Sequence, residues 1–108
     1  MSDFSPERIY ASLIQAGESW ADKESAACLL EETRRSVLAE FMNQATGSSV
    51  AACEQQALAH PAYRLHLVNM VTARREANRA RVQYDAQKIL GELRRTEQSN
   101  LRAEMGIK

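Results

Sequence analysis

The stretch PAYRLHLVNMVTARREANRARVQYDAQKILGELRRTEQSNLRAE, residues 61–104, decides the fold. Pro61 opens it, no further proline interrupts it, and Gly91 is its only glycine. Ala, Arg, Leu, Gln and Glu dominate, and all of them form helix readily. The segment therefore reads as one long helix, at most slightly bent at Gly91, extending about 65 Å at roughly 1.5 Å per residue.

The preceding segments read as shorter helices. His60-Pro61 closes a helix over 50–59, because the residue before a proline avoids the helical region. Ser49 is its expected N-cap, and Gly47 supplies a left-handed stop for the helix before it. That earlier helix is expected over 22–45. Asp22 is its cap, Glu24 sits in its first turn, and Ala26, Leu30, Thr33, Val37 and Phe41 form its apolar stripe. A first helix over 6–16 starts at Ser5-Pro6-Glu7 and stops at Gly17. Ile9, Leu13 and Ala16 repeat along it at helical spacing, with Tyr10 beside them.

The expected fold is all-α. A single helical domain over 1–108 would pack its short helices along one long C-terminal helix, as a hairpin or bundle. The 22–45 helix, about 36 Å long, cannot cover the long one. A second copy of the chain is the expected cover for the overhang, which makes the protein a homo-oligomer.

Composition agrees with this reading. Four Gly, two Pro and 6% aromatic residues in 108 are too few to punctuate a small β-barrel, which needs a turn about every 8–12 residues. No apolar run approaches the length of a membrane span, and the polar start Met1-Ser2-Asp3 does not read as a signal peptide. Cys28 and Cys53 sit among alanines and leucines, too far apart for a Cys-x-x-Cys pattern. They read as buried free thiols in a reducing, cytoplasmic setting. The net charge is zero, but residues 1–59 hold four basic against nine acidic side chains, and residues 60–108 ten against five.

Catalysis has no candidate constellation. His60 and His66 lie six apart, on opposite helix faces, so they make no metal pair, and His60 reads as a capping or surface residue. No metal or cofactor fingerprint is present.

Three patterns on the long helix carry information. Val68, Val71, Val82, Ile89 and Leu93 form an apolar stripe for an oligomer or helix interface, interrupted in the middle by Arg75 and Asn78. Such a polar layer in a helix seam fixes register at a cost in stability. A narrower face of Ala73, Ala77, Ala80, Tyr84 and Gly91 would let another helix approach closely. Arg74, Arg81, Lys88, Arg95 and Arg102 recur every seven residues. Asp85 and Glu92 alternate with Arg81, Lys88 and Arg95 at i,i+3 and i,i+4, so that part of the ladder reads as a salt-bridged, solvated face.

The run Arg74-Arg75-Glu76-Ala77-Asn78-Arg79-Ala80-Arg81 has four arginines and one acid, and calls for an anionic partner. That partner is either Glu31, Glu32 or Glu40 of the chain itself, or nucleic-acid phosphate, since a guanidinium forks onto carboxylate and phosphate alike. Tyr63 and Tyr84 are the candidate rings for stacking on the bases of a single strand.

The segment Glu76-Ala77-Asn78-Arg79-Ala80-Arg81-Val82-Gln83-Tyr84-Asp85, preceded by its Arg-rich run, resembles the central helix of UvsY-type phage recombination mediators. The likeness covers about twenty residues. It implies a small, helical, oligomeric protein that binds single-stranded DNA and helps load a recombinase, with Arg74, Arg75, Arg79 and Arg81 as strand contacts. The alternative expectation is a protein–protein adaptor or assembly protein in which the arginines complete a helical interface.

Overall fold

The computed structural model describes residues 5–106, and everything described within that range is helix, turn or short connection. The polar start at Met1-Ser2-Asp3, and Ile107 and Lys108, lie outside the described residues. The chain is all-α, with helices α1 (Pro6–Glu32), α2 (Arg34–Gln44), α3 (Val50–Ala59) and α4 (Pro61–Gly106). No helix is long and apolar enough to cross a membrane among the described residues. Two compact units are present: a central one of residues 22–77, and a terminal one joining the residues up to Ala21 with those from Asn78 onward.

α4 runs unbroken for 46 residues, through Gly91 and on to Gly106. α3 also has the expected limits. Ser49 lies in extended backbone at φ −141°, ψ 164°, and its hydroxyl accepts the Ala52 N–H at 3.1 Å. His60, extended at φ −66°, ψ 129°, ends α3, and its Nδ1 accepts the Ala62 N–H at 3.0 Å. One residue thus stops one helix and caps the next. Its ring also stacks on Phe41 of α2, with centroids 4.2 Å apart.

The first half differs from the sequence expectation. Neither Gly17 nor Asp22 marks a boundary; both lie inside α1, a single helix of 27 residues. Gly17 keeps a negative φ. Its missing Cβ admits the Tyr84 ring, whose Cε1 would stand 3.2 Å from that atom. The break falls at Thr33 instead, at φ −85°, ψ −3°. The Thr33 hydroxyl donates back to the carbonyls of Leu29 at 2.8 Å and Leu30 at 3.3 Å. Such back-bonding competes with the helical ladder and bends helices. Leu30's carbonyl also lies 3.0 Å from His66 Nε2.

Gly47 is a second correction, because it holds no left-handed conformation; no described residue has positive φ. Its role is close approach: a Cβ there would fall 2.8 Å from Ala52 Cβ and 2.9 Å from the Cys53 amide nitrogen. Glycine lets the α2–α3 connection fold down onto the first turn of α3, where the Thr46 N–H reaches Gln56 Oε1 at 3.2 Å. At the start of α1, the Ser5 hydroxyl donates to the Glu7 carboxylate at 2.7 Å, and the Ile9 N–H reaches the Ser5 carbonyl.

Small side chains make the interior. Ala27, Ala57, Tyr63 and Ala77 are buried in the central unit and Ala80 in the terminal one. On α4 the sheltered positions recur every seven residues: Tyr63, Met70 and Ala77 in the central unit, Tyr84, Gly91 and Gln98 in the terminal one. This heptad face is the alanine-rich face of the sequence. Ala77 and Gly91 on this face let helix axes come together closely. In the terminal unit Trp20 of α1 meets Tyr84, with ring centroids 5.5 Å apart and planes tilted by 36°.

Candidate functional site

The arginine run of α4 divides by face. Arg74 lies beside the sheltered heptad face and α1 meets it with two carboxylates. Glu24 and Glu31 are seven residues apart, so two turns of α1 carry both on one side. Arg74 Nη1 donates to Glu24 Oε1 at 2.8 Å. Its Nε and Nη2 take the two oxygens of Glu31 at 2.9 and 2.7 Å, a bidentate fork. Cys28 lies between the two acids; its thiol donates to Glu24 Oε2 at 3.3 Å, and Arg74 Nη2 stands 3.7 Å from the sulfur.

This network shifts each member in the direction its partners dictate. The Arg74 fork holds the Glu31 carboxyl below its ordinary range. Hydrogen bonds to Glu31 and Glu24 raise Arg74 further above its ordinary value, so it stays charged. The bond to Glu24 pushes the Cys28 thiol up, with Arg74 opposing. A thiol raised in this way is a weak nucleophile. Cys28 is half-buried and hydrogen-bonded rather than packed in an apolar core, and Cys53, also half-buried, faces the Gly47 carbonyl at 3.5 Å.

Arg74 therefore belongs to the chain's own acids, as one of the two sequence readings had it. Glu31 is the acid that reading named, Glu24 is one it missed, and Glu32 and Glu40 take no part. The i,i+7 spacing of Glu24 and Glu31 was the available signal. Arg75 in the central unit, and Arg79 and Arg81 in the terminal unit, are exposed and form no ion pair among the described residues.

The ladder departs from expectation as well. No ion pair joins Arg81, Lys88, Arg95 or Arg102 to Asp85 or Glu92. These side chains are exposed, where a pair is worth only a few tenths of a kcal/mol and solvent competes with it.

The candidate stacking rings are withdrawn from the surface. Tyr63 is 4% exposed and Tyr84 is engaged by Trp20. Tyr10, which lies beside the apolar stripe of α1, is 65% exposed.

Val68 and Val71 in the central unit, and Val82, Ile89 and Leu93 in the terminal unit, lie outside the sheltered face, each between 56% and 62% exposed. The helix contacts within each unit use the small-residue face, and the larger apolar side chains are left uncovered. Among the described residues no group of three or more His, Cys, Asp or Glu side chains is placed to hold a metal ion. No protein-family model, curated protein or solved structure matches the chain.

Proposed function

We propose that this chain is a small, non-enzymatic, cytoplasmic accessory protein that binds single-stranded nucleic acid through the uncommitted guanidiniums of α4. Arg79 and Arg81 in the terminal unit and Arg75 in the central unit are the phosphate contacts. The observation that carries this reading is the division of the arginine run. One of four guanidiniums is closed by Glu24 and Glu31, and the other three are exposed with no carboxylate partner among the described residues. Like charges at i,i+4, as at Arg75 and Arg79, destabilise a helix unless an anion lies across them. The resemblance to UvsY-type phage mediators supplies the wider role, help in loading a recombinase on a single strand. Arg74 drops out of the strand-contacting set that the resemblance implied.

Fluorescence anisotropy with a labelled oligonucleotide tests the proposal. Three phosphate contacts on a single strand give a slope of log K against log salt of roughly −2. Arg75→Glu with Arg79→Glu should abolish most of the binding. Absence of binding at low salt, or indifference to that double substitution, rejects the proposal.

A second reading rests on a different observation, the exposed apolar stripe of Val68, Val71, Val82, Ile89 and Leu93. Large apolar side chains in one row mark a surface that other helices cover. On that reading the protein is a helical adaptor or assembly component, with a further copy or a partner helix on the stripe.

A further inference from the structure

The terminal unit holds a groove of about 400 Å³ between the start of α1 and the second half of α4. Its floor is aliphatic, from Ile9 and Leu13, and Tyr10 stands at its edge with most of its ring in water. The floor is shaped by Gly91, where a Cβ would come within 3.3 Å of Ile9 Cγ2. Along the α4 side run Lys88, Arg94, Arg95 and Arg102, and Glu92 is the one acid of the lining among the described residues. A chain with no net charge thus gathers its cations beside an apolar trough.

We propose that this groove receives an acidic amphipathic helix from a partner protein. Three features of the groove select that occupant. Lys88, Arg95 and Arg102 are seven residues apart on one helix, so their stems rise about 10.5 Å from one to the next. Carboxylates at every seventh position of a docked helix repeat at the same interval, which an extended strand with its roughly 6.7 Å same-side repeat does not match. The aliphatic floor suits leucine-type anchors, the helix-in-groove mode of recognition. A nucleic-acid single strand would instead want successive ring faces, and Tyr10 is the only aromatic ring of the lining among the described residues.

Lys88, Arg95 and Arg102 are exposed and make no ion pair among the described residues, so a carboxylate arriving at them displaces no described partner. Ile9, Tyr10 and Leu13 lie at i, i+1 and i+4, a short apolar face that two anchors of the partner helix would cover. Neither Arg79 nor Arg81 lines the groove, so the two proposals are tested by different substitutions.

The test uses the full chain and a fluorescein-labelled synthetic amphipathic helix of about three heptads, with Glu at every seventh position and Leu on the adjoining face. Saturable binding is expected, weakened at least about tenfold by Lys88→Glu with Arg95→Glu, since opposed charges become like charges. Leu13→Ser should weaken it too, and a probe with Lys in place of Glu should not bind. Circular dichroism of each variant establishes that the helices remain formed. No binding of the Glu probe at low salt overturns the inference, as does binding that the double substitution leaves unchanged. If an oligothymidylate competes for the groove and loses affinity on the same double substitution while the peptide is ignored, nucleic acid is the occupant and the peptide assignment is wrong.

Discussion

Arg74 grips Glu31 side-on, with Nε and Nη2 on the two carboxylate oxygens at 2.9 and 2.7 Å, and this fork ties α4 to α1 in the central unit. The partners are about one-third exposed, Arg74 at 30% and Glu31 at 37% of the side chain. Solvent screening therefore limits its strength. Its value is directional: a planar fork fixes which turn of α1 faces which turn of α4.

That fork makes stability depend on pH in a defined sense. Glu31 is held below its ordinary value of 4.5 when folded, chiefly by its hydrogen bond to Arg74. Its contribution is present above that ordinary value and is lost as pH falls through the folded one. The melting temperature should fall as pH drops below about 4.5, and less steeply in Glu31→Gln. Glu7, lowered by its bond from Ser5, contributes in the same sense and remains in the variant, so the slope flattens without vanishing. An identical pH profile for wild type and Glu31→Gln would show that the fork is not felt in stability.

The buried face of α4 can be tested by size. Ala77 is 0% exposed, and Leu there must push the helices apart. Overpacking of this kind costs about 1–3 kcal/mol. Ala86, on the exposed side of the same helix, should accept Leu within about 0.5 kcal/mol. Urea melts of the two variants report the difference, and equal costs would reject the alanine face as the packed one.

The elements that the sequence predicted well are those governed by neighbours along the chain. Ser49 capping, the stop at His60-Pro61 and the absence of breakers after Pro61 are local rules, and α3 and the start of α4 follow them. At Gly17 and Arg74 the outcome depended on residues far away. Whether Gly17 ends a helix or admits a ring is decided by Tyr84. Which arginine is neutralised is decided by the register of α1 against α4, and Glu24 was read only as a first-turn acid. The two faces of α4 were both visible, but periodicity alone gives no reason to place the smaller residues inside. At Gly91 that choice goes with bulk on the partner side, where Ile9 Cγ2 would stand 3.3 Å from an added Cβ.

Gly47 separates two meanings of a loop glycine. Its φ is not positive, so a substitution there meets no backbone penalty. It meets atoms instead: Ala52 Cβ at 2.8 Å and the Cys53 nitrogen at 2.9 Å, both too close for a real Cβ. Backbone cannot swing aside as a side-chain tip does. Gly47→Ala should destabilise the α2–α3 hairpin by about 1–3 kcal/mol, in the range of overpacking. Amide exchange in α3 should rise with it. A neutral Gly47→Ala would mean that the connection has room to lift away.

The apolar stripe gives the clearest separation between folding and assembly. Val82 is 62% and Ile89 56% exposed, so neither has much to lose within its own unit. Val82→Glu with Ile89→Glu should leave helicity intact, and each should change the stability of the isolated chain by no more than about 0.5 kcal/mol. Covered by another helix, the same side chains contribute about 1.5–3 kcal/mol each, and a buried unpaired carboxylate reverses that gain. If copies of the chain cover the stripe, the wild-type melting temperature rises with protein concentration and the double variant's does not. Light scattering should then give the variant the 12.1 kDa of a single chain and the wild type a multiple of it. A wild type that is already monomeric, with a melting temperature indifferent to concentration, removes self-assembly and leaves the stripe to a different protein.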